Sequence, residues 1–228
     1  MEANGSHGDA PTPRQRGRRM RIVAAMRRAV IARGYAATSL DHVIEEVGGS
    51  RRTIYAEFGG KAGLMSAVVE EVVSDVAAAV DLFYDPSAGP RAWLVRVGTQ
   101  FTRRILSPDA VAVLREVVAM GVGPDEARAF WAAGPDRLRA SLADWLRARD
   151  AEGVLHVPDP EAAADILPEM MRGPLLVERL AGLRGATDAA AITRQVEAAV
   201  DLFLAGAWPR ADDPATPPAG GGGGRGKV

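Results

Sequence analysis

Apolar residues recur at three- and four-residue spacing through most of the chain, which is the periodicity of one buried face of an α-helix. The clearest case is the segment 61–83, in which Leu64, Val68 and Val72 repeat every four residues. Strand-like alternation with threonine, tyrosine or phenylalanine is missing between residues 18 and 208. The pattern therefore predicts an all-α fold.

Glycine and proline interrupt this helical pattern and divide it into about nine helices, of which three short ones precede residue 60. Pairs such as Gly48-Gly49 and Gly134-Pro135 mark the interruptions. The last two helices are predicted at 160–183 and 188–208, and Pro168 and Gly173-Pro174 predict bends in the first of them.

The two ends of the chain lack the apolar periodicity of the middle. Residues 1–17 are rich in glycine, proline and arginine, and residues 209–228 are rich first in proline and then in glycine. Such compositions cannot bury a core, so we expect a disordered basic arm at one end and a disordered tail at the other.

Charge is distributed unevenly although the net charge is only −1. Residues 1–65 carry 10 Arg and 1 Lys against 6 acidic residues, and residues 66–228 carry 17 basic against 23 acidic residues. A basic first part on an acidic remainder indicates that one end meets a polyanion. An excess of five positive charges could also arise by chance, so the charge distribution indicates a polyanion partner only if a matching sequence motif accompanies it.

Composition narrows the classes of function. The chain has no cysteine and only three histidines, which removes disulfides, thiolate nucleophiles and most metal sites. It also lacks a glycine-rich phosphate loop after a strand, a membrane-length apolar stretch and a secretory signal. We therefore expect a cytoplasmic protein that is not an enzyme and needs no cofactor or metal.

The sharpest signal is TSLDHVIEEVGGSRRTIYAEFGGK, residues 38–61. Thr38 or Ser39 can cap a short helix, Gly48-Gly49 allows a tight turn, and Ser50 can cap a second helix that opens with two arginines. A helix, a tight turn and a capped basic helix are the parts of a helix-turn-helix, whose second helix enters the major groove of DNA.

Spacing within the second helix separates core from surface. Ile54 and Phe58 are four residues apart and can pack inward, which leaves Arg51, Arg52 and Tyr55 on the outer side. Arginine can bind guanine O6 and N7 with two hydrogen bonds. The pair could instead be an ordinary solvated helix face, and Tyr55 could be a partly buried core tyrosine.

With these residues in view, the segment resembles the TetR family of transcriptional regulators. The matching run is RIVAAMRRAVIARGY followed by TSLDHVIEEVGGSRRTIYAEFGGKAGL, and it extends from residue 18 to about residue 72. The resemblance implies a DNA-binding head, 18–65, and a helical body for ligand binding and dimerisation, 66–208.

The resemblance also implies roles for individual residues. Thr38, Ser39 and Tyr55 would lie at backbone phosphates, and Lys61 would contact a phosphate from the start of the fourth helix. Arg51, Arg52 and Thr53 would face bases or phosphates. These seven residues and Ser50, the capping residue of the second helix, make up the predicted DNA-binding set.

Large aromatic and methionine side chains in the body are candidates for lining an apolar ligand pocket. They could equally fill an ordinary core. A body stretch resembles one subgroup of the family, in which a glutamate often stands near Met120, so the methionine favours an apolar effector. The candidates are Trp93, Phe101, Met120, Phe130, Trp131, Trp145, Met170 and Met171.

By analogy with the family, the last two helices are the natural dimer faces. The stripe that suits this role is Ile192, Val196, Ala199, Val200 and Phe203, although it could instead bury against its own chain. The predicted function is a homodimeric, sequence-specific DNA-binding regulator, a repressor that a small apolar effector releases from a palindromic operator. The alternative is a helical ligand-binding protein whose helix-turn-helix no longer functions.

Overall fold

The computed structural model describes residues 12–80, 82, 84–120, 135–183 and 188–207. These residues form ten α-helices and no strand, so the all-α prediction is confirmed with one helix more than expected. The helices are α1 Pro13–Arg33, α2 Leu40–Val47, α3 Arg51–Phe58, α4 Lys61–Ala78, α5 Gly89–Ile105, α6 Pro108–Met120, α7 Pro135–Ala151, α8 Pro160–Arg172, α9 Leu175–Leu180 and α10 Ala189–Ala207.

The first helix begins earlier than predicted. A capping box fixes its start: the Thr12 hydroxyl accepts a hydrogen bond from the Gln15 N–H, and the Gln15 side chain accepts one from the Thr12 N–H. Residues 13–17 are therefore helical, and the prediction of a disordered arm up to residue 17 is wrong for them. Residues 1–11 and the predicted tail, 209–228, lie outside the described residues.

Helices α1 to α3 pack around the first half of α4 and enclose a small core. Met26 of α1, Val43 of α2, Ile54 of α3 and Leu64 of α4 are each at most 2% exposed in it. Burying one such side chain contributes about 1.5–3 kcal/mol. Helix α6 also reaches this core, through Ala110 and Val113, so the head is closed by an element of the body.

The remaining helices form the body around a second core. Helix α10 packs against α5 and α8 of its own chain, and Ile192, Val196, Ala199 and Val200 are at most 4% exposed there. Phe203 packs against the same core. The prediction that this stripe is a dimer seam is therefore wrong, because its side chains already bury within one chain.

Several predicted helix limits are corrected by the structure. Helix α4 ends at Ala78 rather than near residue 83. The predicted helix 160–183 is two helices, because Gly173 adopts a φ of 50° and Pro174 follows it. Pro168, by contrast, lies inside α8. Helix α7 begins at Pro135, and Gly134 lies outside the described residues.

Candidate nucleic-acid interface and internal cavity

A tight turn joins α2 to α3 and fixes their relative orientation. Gly48 and Gly49 have φ of 73° and 108°, a region that side chains with a β-carbon rarely adopt. The Ser50 hydroxyl then accepts a hydrogen bond from the Thr53 N–H at 3.3 Å and starts α3. The two helices are thus held as a helix-turn-helix by local hydrogen bonds and backbone geometry.

Helix α3 is anchored by one face and presents the other to solvent. Ile54 and Phe58 are buried in the head core, while Arg51, Arg52 and Tyr55 are exposed, the last to 59%. This is the orientation that the spacing predicts. Side chains free of the core are the ones that can reach base edges or phosphates, and DNA contact by these three residues stays a prediction.

Arg51 is exposed but paired. Its Nε donates a hydrogen bond to Asp41 Oδ1 at 2.8 Å, and its Nη2 contacts the other carboxylate oxygen. The hydrogen bond from Arg51 lowers the pKa of the Asp41 carboxyl. Arg51 must leave this partner, or share it, to bind DNA, whereas no ion pair to Arg52 occurs within the described ranges.

The hydroxyl residues of the predicted set differ in accessibility. Thr38 is only 2% exposed, and its hydroxyl donates to the Gly34 carbonyl at 2.9 Å. The Thr38 side chain therefore completes the end of α1 and does not face solvent, and its place beside the phosphate backbone stays a prediction. Ser39 is the residue that caps α2, and Thr53 shares a hydrogen bond of 3.2 Å with the exposed Ser50.

Lys61 lies at the start of α4 beside the turn between α1 and α2. Its Nζ lies 4.2 Å from the centre of the Tyr35 ring and donates a hydrogen bond to the Ala36 carbonyl at 3.4 Å. Lys61 is thus held in place as a cation near the head surface. Tyr55 lies close by, with its ring against Gly60.

A cavity of about 330 Å³ lies within the body. Most of its wall is apolar and comes from α4, α5 and α6, with valines such as Val69, Val73 and Val76 of α4. Trp93, Phe101 and Met171 line it. A cavity of this size and apolar character suits one small molecule.

The other pocket candidates do not line the described wall. Trp145 stacks on Trp93 with ring centres 4.1 Å apart and supports the cavity from behind. Met170 packs against the body core, and Met120 is 38% exposed at the end of α6. Phe130 and Trp131 lie outside the described residues.

Sequence reasoning missed two parts of the wall. One is the set of α4 valines, which the periodicity assigns to an ordinary core face. The other is a charged rim where α7 meets α8, formed by Asp136 with the ion pairs Arg139–Asp165 and Glu169–Arg172. Burial lowers the pKa of the Arg172 guanidinium. Nothing in the local sequence distinguishes these residues from other charged helix positions.

Helix α6 links the cavity to the head. Val113 lines the cavity and is also buried in the head core, and Val117 lies at both. Between them Glu116 accepts a hydrogen bond from the Tyr35 N–H at 2.8 Å, and its carboxylate lies against Gly34. Helix α6 therefore contacts both the cavity and the turn that leads into α2.

Comparisons with known proteins agree with this architecture. Residues 22–68 match the family model described as bacterial regulatory proteins, TetR family. Residues 92–206 match the model described as the C-terminal domain of AefR-like transcriptional repressors. A search of curated proteins matched none. No helix in the described part of the chain combines the length and apolarity needed to cross a bilayer.

Solved structures resemble the chain over nearly its whole length. One is the flavonoid-responsive regulator FrrA, with 27% identity, a TM-score of 0.70, and coverage of 86% of this chain and 99% of that one. A regulator from Pectobacterium atrosepticum has 26% identity, a TM-score of 0.56 and coverage of 87% and 98%. One from Mesorhizobium loti, at 23% identity, TM-score 0.70 and coverage of 87% and 100%, shares the fold.

Proposed function

Since this chain belongs to the TetR family of transcriptional regulators and carries that family's DNA-binding head, we propose that it is a homodimeric repressor released from its operator by a small apolar effector. The observation that carries the proposal is the outward face of α3, where Arg51 and Arg52 stand clear of the core. Two such helices in successive major grooves, about 34 Å apart, would read a palindromic site.

The DNA contacts we propose follow the chemistry of each side chain. Arg51 and Arg52 supply the guanidinium groups for base edges or phosphates, with Thr53 beside them. Ser39, Ser50, Tyr55 and Lys61 supply hydroxyls and an ammonium group for phosphate oxygens. Thr38 is left out of this set because its hydroxyl is buried.

The functional division that we propose is a DNA-binding head, 18–65, and a ligand-binding and dimerisation body, 66–208. Support comes from the two separate cores, one in each part. The structure adds two qualifications: α1 already starts at Pro13, and α6 of the body closes the head core.

The dimer face that we propose lies on the last helices, on the side opposite the buried stripe. Leu202 of α10 is 69% exposed, Val177 of α9 is 67% exposed and Ile166 of α8 is 56% exposed. Ala198 lies one turn before Leu202 and is also exposed. A small residue at this position would let two helices approach closely. Apolar side chains of this size usually mark a contact when they share a face.

The cavity supports an apolar effector, and α6 supports its route of action. An effector that fills the cavity would press on Val113 and Val117, and Glu116 would carry the displacement to the turn at Tyr35. The effect on DNA binding equals the difference in effector affinity between the two head arrangements. The similar regulator FrrA is flavonoid-responsive, which supports an effector with aromatic rings.

Charge reversal of the α3 arginines tests the proposal. In a gel shift with the DNA that flanks its own gene, Arg51→Glu/Arg52→Glu should bind at least about 100-fold more weakly, since each bidentate contact is worth about 1–3 kcal/mol. Arg103→Glu, which reverses an exposed charge on α5, should bind as the wild type does. Equal binding by the double variant would favour the alternative, a ligand-binding protein with a non-functional helix-turn-helix.

The effector is tested separately through Trp93, which lines the cavity. An apolar compound that occupies the cavity should change the fluorescence of Trp93 and release the protein from DNA at the same concentrations. A compound that changes the fluorescence but leaves DNA binding intact would contradict effector release.

A further inference from the structure

The first turns of α1 carry a dense cluster of positive charge that is spread around the helix. The nine residues 13–21 hold five arginines and no acidic residue. Arg14, Arg16 and Arg18 are exposed, and Arg14 makes no ion pair with any described residue. A run of this density in an ordered helix holds its charges at fixed positions, which a flexible arm does not.

This part of α1 lies directly beside the DNA-facing helix. Gln15 and Arg18 line one surface groove together with Ser50, which caps α3, and with Arg52 and Thr53 of α3. The start of α1 therefore borders the same surface that presents Arg52.

Two contacts lock α1 against α3. The Arg18 Nη2 lies 3.2 Å from Glu57 Oε2, and the Arg19 guanidinium lies 4.5 Å from the centre of the Phe58 ring. Glu57 is the second-last residue of α3 and Phe58 is its last. Because these contacts hold α1 along its neighbour, the preceding turn of α1 has a defined position relative to α3.

The positive charge that this turn offers to an anion comes from its arginine side chains, not from free backbone N–H groups at the helix end. Pro13 has no N–H, the Gln15 N–H is bonded to the Thr12 hydroxyl, and the Arg16 N–H donates to the Thr12 carbonyl at 2.9 Å. The first turn thus has few free backbone donors for an anion. What it offers is arginine, whose planar fork suits phosphate oxygens.

We propose that the first two turns of α1 form a second DNA-contacting surface, in which Arg14 and Arg16 bind backbone phosphates beside the groove that α3 enters. This rests on the proposed function, because it takes α3 as the element in the major groove. Further along α1, Ile22, Val23 and Met26 are buried in the head core, so α1 cannot enter a groove itself and reaches only the backbone at its edge.

The salt dependence of DNA binding measures these contacts. Each neutralised phosphate adds about 0.9 to the slope of log affinity against log salt concentration. Two arginines in each of two heads neutralise four phosphates, so their loss should make the slope shallower by about 3.6. Phosphate contacts carry no base information, so binding should weaken equally on specific and arbitrary sequences.

The first experiment compares Arg14→Gln/Arg16→Gln with Arg103→Gln/Arg137→Gln, which removes the same charge from exposed positions on α5 and α7. The probe is a mixed-sequence DNA duplex of about three helical turns, titrated at several salt concentrations. The α1 variant should bind at least about tenfold more weakly at physiological salt, with the shallower slope. A slope equal to that of the control variant would overturn the proposal.

The second experiment changes the helix and keeps every charge. Proline at position 17 removes the helical hydrogen bond to the Pro13 carbonyl, whereas a β-carbon at Gly17 meets no atom within 4 Å. Gly17→Pro should therefore weaken DNA binding toward the level of the α1 arginine variant, and Gly17→Ala should bind at least as tightly as the wild type. Equal binding by Gly17→Pro and wild type would show that only total charge matters and would overturn the proposal.

Failure of this inference can be told from failure of the proposed function. A wild-type protein without salt-dependent affinity for any duplex would refute the proposed function. A wild-type protein that binds DNA, with all α1 variants behaving as it does, would refute only the second surface.

Discussion

Substitution of Glu116 by alanine tests the link between α6 and the head. In the folded protein the Glu116 carboxylate accepts the Tyr35 N–H at 2.8 Å, at a partly buried position. Alanine removes the acceptor and leaves that N–H without its partner. The second link between α1 and α6 in this region, Arg27 to Asp109 at 3.2 Å, is unaffected.

The size of the effect follows from the kind of hydrogen bond that is lost. A hydrogen bond to a charged acceptor contributes about 1.5–3 kcal/mol to stability, and partial solvent access to Tyr35 reduces this to about 1–2 kcal/mol. For a chain of 228 residues, that corresponds to a fall in Tm of about 3–6 °C. Glu116→Gln keeps an acceptor oxygen at the same distance along the side chain and should lose less than half as much.

Thermal and urea unfolding of the wild type, Glu116→Ala and Glu116→Gln provide the measurement. All three are compared at one protein concentration, because the proposed dimerisation would make Tm depend on concentration. Glu116→Ala with the same free energy of unfolding as the wild type would refute the reasoning, since the hydrogen bond would then contribute nothing in solution.

The same variant has a functional consequence for the proposed effector response. We expect an apolar probe such as N-phenyl-1-naphthylamine to enter the cavity of Glu116→Ala normally but to weaken DNA binding less than it does in wild type. Undiminished release of DNA by the probe would show that the signal reaches the head by another route, such as α4.

Three further predictions concern other contacts. Asp41→Asn removes the carboxylate that pairs with Arg51 and so removes a negative charge from the head. DNA affinity should therefore rise a few-fold in a gel shift at constant salt, and unchanged or weaker binding would mean that the ion pair positions Arg51. In Gly98→Ala the new β-carbon would lie 2.5 Å from Met171 Sδ and 3.0 Å from Cγ1 of the buried Val196. The thioether should turn into the cavity and weaken binding of an apolar fluorescent probe several-fold, and crowding against Val196 should lower the free energy of unfolding by about 1–3 kcal/mol; an unchanged Kd would contradict this. Leu202→Glu should convert the proposed dimer to a monomer in size-exclusion chromatography with light scattering, and a variant as dimeric as the wild type would place the interface elsewhere.

Local rules made much of the head predictable. Ser39 and Ser50 each cap the helix that follows, and the glycine pair between α2 and α3 adopts the positive φ that a tight turn requires. The four-residue spacing of Ile54 and Phe58 is enough to orient α3. Each of these depends on residues within about one helical turn of each other, so the sequence contains the whole cause.

Predictions that needed distant neighbours were less successful. Ser39 and Thr38 are both plausible caps in sequence, but only the position of the Gly34 carbonyl shows that the Thr38 hydroxyl is occupied. The apolar stripe at Val196 and Val200 predicts that something covers it, and does not say whether that is its own chain or a second copy.

The sequence alone determined that the chain is helical, where the helix-turn-helix begins and ends, and which face of α3 is turned outward, because capping, glycine geometry and helical periodicity act over a few residues. Only the tertiary structure decided that α6 serves both cores, that Glu116 reaches Tyr35 some 81 residues away in the chain, and that valines of α4 border a cavity. A cavity and a long-range contact depend on how helices pack against one another, and the spacing of apolar residues along one helix does not specify which helix packs against it.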